Sequence, residues 1–205
     1  MSSLNKQSAF MFGDSDFPTI ELSSARVRLR QWQACDLPAF AELNRDPDVM
    51  AYFPSTLTQT QSDELASRMQ RGIAKRGWGF WAAELKTTGE LIGFVGLNSP
   101  SADLPFSPCI EIGWRLARPY WRQGLATEAA TSVLDFGFNA LGMPEIVAFT
   151  HVKNFRSRAV ILRLGMRDTD QNFKHPDIAH DHPLAEHVLF KLRQNDWQAH
   201  KKTAP

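Results

Sequence analysis

Residues 109–130, CIEIGWRLARPYWRQGLATEAA, constrain this chain more than any other stretch. An apolar strand pattern over 110–116 ends in a turn rich in arginine and aromatic residues. That turn runs through Gly124 straight into a helical pattern. The first N–H groups of a helix have no intrahelical partner, and the helix dipole adds partial positive charge there. A strand delivering a glycine to such a terminus therefore builds an anion site. Arg115, Arg118 and Arg122 lie just upstream as candidate partners for phosphate oxygens. Gly124 and Ala126 leave room for a ligand to approach the backbone. The junction has neither the Lys-Ser/Thr ending of a triphosphate loop nor the GxGxxG of a dinucleotide turn, so the expected anion is not a simple nucleoside triphosphate. Spacing alone leaves a second reading open: an ordinary strand–helix turn with surface arginines.

The rest of the chain reads as scaffold. RVRLR at 26–30 alternates, with Val27 and Leu29 on one face and a basic outer face. Asp36 is a candidate cap for a helix that ends at Asp46-Pro47. Thr58 or Thr60 starts a second helix running to about Lys75. Strands at 80–85 and 91–97 form a hairpin around KTTGE. After the strand at 110–116, the helix entered at Gly124 carries an apolar stripe (Ala126, Ala130, Val133, Leu134, Gly137, Leu141) until Gly142 and Pro144 stop it. A strand at 146–152, a short helix from Asn154 capped by Gly165, and strands at 166–170 and 187–193 complete the pattern. A histidine-rich loop at 171–186 separates the last two strands. The predicted organisation is an extension over 1–24, one domain over 25–195 and a polar tail over 196–205.

Net charge at pH 7 is +1, so nothing global pulls the chain toward nucleic acid or membrane. No apolar run reaches the roughly 18 residues of a membrane span, and the N-terminus lacks an apolar signal core, which predicts cytoplasmic residence. Cys35 and Cys109 sit in unrelated contexts and are expected to be reduced there.

YWRQGLATEA resembles the acetyl-CoA pyrophosphate loop of the GCN5-related N-acetyltransferase superfamily, (Q/R)-x-x-G-x-(G/A), with Trp121 at the first position, Gly124 at the glycine and Ala126 at the last. Trp at the first position is similar to the branch containing the ribosomal-protein N-terminal acetyltransferases. EIGWRL resembles that branch's fourth strand, NFRSRAVILRLGM its N-x-x-S helix, and RVRLRQWQACDLPAFAELNRDPDV its N-terminal strand and helix. The resemblance implies a single α/β domain of the α+β type: a mixed, mostly antiparallel sheet of six to seven strands, splayed between the fourth and fifth, with about four flanking helices. It also implies acetyl-CoA as co-substrate, no metal, and direct acetyl transfer to a primary amine, either a protein N-terminus or a small molecule. A monomer or homodimer is expected. The alternative is a non-catalytic acyl-CoA-binding module on the same fold.

By the same resemblance, backbone groups of Arg122, Gln123, Gly124, Leu125, Ala126 and Thr127 cradle the pyrophosphate. Ile112, Gly113 and Trp114 flank the pantetheine and thioester, and Asn154 binds the pantetheine amides. Arg156 or Arg158 meets the adenosine phosphate or is simply solvated. Glu111 is the candidate base, directly or through water; the other reading turns it outward or pairs it with an arginine. Ser157 is the candidate acid for the leaving thiolate, because Ile161 stands where many relatives carry a tyrosine. His175, His180, His182 and His187 leave three readings: an acceptor-site loop with His175 or His187 as a proton carrier, a solvated loop, or a metal site. Trp78, Phe80, Trp81 and Phe53 belong either to the core or to the acceptor pocket.

Overall fold

Apolar alternation and helical periodicity resolve into β1 (Leu22–Ser23), β2 (Val27–Arg30), α1 (Leu37–Arg45), α2 (Gln59–Arg76), β3 (Phe80–Leu85), β4 (Leu91–Asn98), β5 (Glu111–Leu116), α3 (Leu125–Asp135), β6 (Glu145–His151), α4 (Phe155–Arg163), β7 (Arg167–Lys174), β8 (Glu186–Arg193) and α5 (Gln194–Thr203). These elements come from a computed structural model that describes residues 18–100 and 103–203. The strands form one sheet in the order β1-β2-β3-β4-β5-β6-β8-β7. Neighbours are antiparallel except β5 and β6, which are parallel and joined by the α3 crossover.

Helices cover both faces of the sheet. Phe40 of α1 meets Phe94 of β4 edge-on at 6.2 Å. On the other face Leu97 and Ile146 fill the space beside Gly137, just beyond α3, so closely that an added Cβ there would meet Ile146 Cδ1 at 2.8 Å. The buried indoles keep their N–H groups bonded: Trp32 donates to the Phe80 carbonyl (2.8 Å) and Trp81 to that of Ile20 (2.7 Å). Thr58 caps α2 and accepts from the Gln61 N–H, while Gly77, at φ 79°, ends it in the left-handed conformation that glycine adopts without a Cβ clash.

Several expectations change. The sheet has eight strands rather than six or seven, and five α-helices flank it. One added strand is β1, inside the stretch predicted as an extension; it pairs Leu22 with Leu29. The strand predicted to end near Asp170 continues as β7 to Lys174, so the histidine-rich loop is shorter, while His187 lies in the last strand as expected. The polar tail forms α5, whose Trp197 is buried and donates to Asp135 Oδ1 (2.9 Å). One aromatic anchor suffices to dock an otherwise polar helix. Asp36 does not cap α1 with its side chain. It pairs instead with Arg30, 2.7 Å away, and Glu84 binds the same guanidinium, so Arg30 is buried and the outer face of β2 is basic only at Arg28. Residues 1–17 of the predicted extension lie outside the described residues.

Candidate active site

The parallel junction of β5 and β6 is where the sheet opens. Its only Cα partnership is Glu111 with Val147, where Val147 N–H donates to the Ile110 carbonyl (2.9 Å). Backbone groups along a strand alternate between its two edges, so Ile112 and Trp114 point the same way as Ile110, toward the opening. A cleft of about 1300 Å³ extends from there. Its walls include Glu111, Ile112, Gly113 and Trp114 of β5, Thr150 and His151 of β6, Gly124, Ala126 and Thr127 at the start of α3, and Asn154 and Ser157 of α4. The α1–α2 segment roofs it: the Tyr52 hydroxyl donates to the Lys153 carbonyl (2.9 Å), and the Tyr52 ring stacks on His151 at 5.4 Å.

At one end is the glycine turn. Arg122 and Gly124 take φ values of 61° and 78°, and this pair of left-handed residues turns the chain into α3. Among the described residues, no protein acceptor binds the N–H groups of 122–127. Of the three arginines expected to serve this turn, only Arg122 stays beside it. Arg118 pairs with Asp48 (2.7 Å), and Arg115 reaches Asn44 Oδ1 (2.6 Å) on the α1 face. Arg26, which spacing did not connect to the turn, comes within 3.5 Å of a Cβ built on Gly124. It also neutralises Glu128 in the first turn of α3 (2.7 Å). Burial pushes the Glu128 carboxyl up, but hydrogen bonds from Ser24 and Arg26 outweigh that and hold it below its ordinary value. Arg156 lies over the Trp121 ring at 4.4 Å, and Arg158 donates to the Val152 carbonyl.

Glu111 stands where β5 and β6 part. Burial pushes its carboxyl up to about 7, against the opposing effect of Asn98, whose side-chain N–H donates to Glu111 Oε1 (2.8 Å). Among the described residues no arginine or lysine pairs with it. Across the cleft, Asn154 caps α4: its Oδ1 accepts from Ser157 N–H (3.2 Å) while its Nδ2 donates to Thr150 Oγ1 (2.9 Å). This fixes the start of α4 and sets Ser157 in the cleft wall. His175 and His187 also reach the cleft, with rings 5.2 Å apart, and burial lowers both pKa values toward the neutral form. His180 and His182 do not line it. No cluster with metal-ligating geometry occurs among the described residues. Trp81 is core, whereas Phe53 and Phe80 line the cleft.

Comparison with known proteins bears on the family and the fold. Residues 26–167 match the family described as the acetyltransferase (GNAT) domain. The uncharacterized protein YkkB of Bacillus subtilis is 34% identical over 147 residues, covering 71% of this chain and 84% of that protein. The uncharacterized N-acetyltransferase YoaA of the same organism is 31% identical over 156 residues, covering 74% and 84%. Among solved structures, Mycobacterium smegmatis RimJ in complex with CoA-disulfide superposes with a TM-score of 0.66 at 22% identity, covering 88% of this chain and 94% of that one. With a glycine turn feeding α3, a sheet parting between β5 and β6, and a family match over most of its length, the chain belongs to the GNAT acetyltransferase family.

Proposed function

We propose that the protein transfers the acetyl group of acetyl-CoA directly to a primary amine, with both substrates bound in one ternary complex. The observation that carries this reading is Glu111: a half-buried carboxyl at the parting of β5 and β6, raised to about 7, in a family that uses acetyl-CoA. A base with that pKa takes up a proton efficiently near neutrality. The N–H groups of 122–127 and the dipole of α3 suit a pyrophosphate, with Arg122 and Arg26 adding charge. The free edge of β5 at Ile112 and Trp114 suits an amide-bearing pantetheine arm, seated like an added strand.

In this scheme the amine nitrogen attacks the thioester carbonyl carbon. The ammonium proton passes to Glu111, directly or through one water. Backbone N–H groups of the β5 edge stabilise the oxyanion. The C–S bond then breaks, and the Ser157 hydroxyl hands the thiolate a proton that solvent restores. No covalent acyl-enzyme is needed, because the thioester is already activated. Cys109 is not in the cleft wall, and burial pushes its thiol up, away from the reactive thiolate. Among the described residues no helix is long and apolar enough to cross a membrane.

The test is an amine screen with acetyl-CoA. CoA release is followed by a thiol reagent, and each product is checked by mass spectrometry for a gain of one acetyl group. Stoichiometric CoA and acetylated amine support the reading. Tight acetyl-CoA binding without turnover on any amine replaces it with a non-catalytic binding module.

A further inference from the structure

Arg115 is a charged group in the cleft wall that the reaction does not use. It shares a face of β5 with Glu111 and Gly113, and it pairs with Phe94 across β4. Its Nε is cut off from solvent without a hydrogen-bond partner. One terminal nitrogen donates to the neutral Asn44 side chain (2.6 Å). The guanidinium carbon lies 4.1 Å from the Phe53 ring centroid and 5.4 Å from that of Phe94. Among the described residues no carboxylate comes within salt-bridge distance of it. Of the acids along the same cleft, Asp48 pairs with Arg118, Glu128 with Arg26 and Glu111 with Asn98, and Asp177 is not within salt-bridge distance of Arg115. Arg30, the buried arginine of β2, is instead neutralised by both Asp36 and Glu84. A half-buried cation with its Nε cut off from solvent and only an amide and two rings around it lacks the counter-charge that burial normally demands. Burial lowers it to about 10, which leaves it charged at neutral pH.

We infer that Arg115 binds a carboxylate of the acetyl acceptor, so that the acceptor is a small amine that also carries a carboxylate. This rests on the acetyl-transfer reading above and names its substrate class. Glu111 and Arg115 are four residues apart, roughly 13 Å along the strand. Gly113 between them carries no side chain; a Cβ there would meet Phe80 at 3.1 Å. The Phe80 ring fills the place of that missing side chain, so a molecule with its amine toward Glu111 and its carboxylate toward Arg115 lies over the ring. Leu65, Met69, Phe80 and Phe94 line the way, so the body between the two groups is apolar. Phe53 and Asn44 orient the guanidinium and leave it free to make a charge-assisted pair.

The test compares matched acceptors on the wild-type protein: ω-amino acids of increasing length against their primary amides, each with acetyl-CoA. The acids are expected to win in kcat/KM by about ten- to a hundredfold, mostly through KM. In Arg115→Gln that ratio falls toward one, and Arg115→Lys restores part of it. Should Arg115→Gln fail to fold, the wild-type pairs decide alone. Amides as good as acids, retention of the preference in Arg115→Gln, acetylation confined to peptide N-termini, or no acetylation of any member overturns the assignment. Calorimetry with acetyl-CoA on the same preparations separates the two claims. A wild-type protein that does not bind acetyl-CoA refutes the acetyl-transfer reading itself. Binding and turnover without an acid preference refute Arg115 alone.

Discussion

Replacing Glu111 with glutamine should make the enzyme slower and more stable at the same time. The side chain keeps its size and can still bond Asn98, but it can no longer accept the amine proton. Loss of a positioned general base costs about 10²–10⁴ in rate. In the wild type the limb of log(kcat/KM) against pH should rise through about 7, because the carboxyl must be ionised to work. Stability moves the other way. A carboxyl raised from 4.5 to about 7 binds more protons folded than unfolded across that interval. The native state therefore loses stability as pH climbs from 4.5 to 7, by about 1.4 kcal/mol per unit, or about 3 kcal/mol in all. Glu111→Gln escapes this loss. Its Tm should exceed that of wild type at pH 8 by about 5–10 °C, and the gap should close near pH 4.5. Calorimetric melts and rate profiles over pH 5–9 measure both effects. A variant with wild-type rate at pH 8 and an unchanged limb would refute the base assignment; equal Tm values at pH 8 would refute the raised carboxyl.

Other positions make separate demands. Gly124→Glu should weaken acetyl-CoA binding at least tenfold in calorimetry, since it places bulk and negative charge where the pyrophosphate sits. Its φ of 78° adds about 1–2 kcal/mol of strain, so its Tm should fall only modestly. Ser157→Ala should lower kcat with little change in acetyl-CoA affinity, and full turnover would remove Ser157 from the chemistry. Asp36→Ala strands a buried guanidinium beside the single remaining carboxylate of Glu84. A loss of about 3–5 kcal/mol in denaturant titration is expected, with catalysis intact in the fraction that stays folded.

The elements that frame the cleft were legible because their apolar residues recur at strand or helix spacing: β3, β4, β5, α3 and β6 all lie close to where periodicity puts them. The misses share one cause. β7 is exposed along most of its length, so RDTDQNFK has no apolar face to announce it. α5 docks through Trp197 alone, too little for a periodic signal. β1 is two residues held by pairing with β2. The site divides in the same way. Glu111, Asn154, Ser157 and the Gly124 turn lie within contiguous motifs and could be named from them. Tyr52 and Asn98 join the cleft from distant segments and belong to no motif, and Arg26 and Asn44 lie in the N-terminal motif with nothing in it to show that they reach Gly124 and Arg115. Arg115 is instructive: alternation on β5 groups it with Glu111, away from Ile112 and Trp114. Only the packing of α1 on that face shows that the arginine leaves the glycine turn for the opposite wall.

Hydrogen exchange with and without acetyl-CoA tests the central claim most directly, that the glycine turn and the opened edge of β5 hold the donor. The amides of 122–127, which have no protein acceptor among the described residues, and those of the β5 edge at Trp114 should exchange markedly more slowly with the donor bound. Protection confined to other parts of the sheet, or none at saturating acetyl-CoA, would contradict the account.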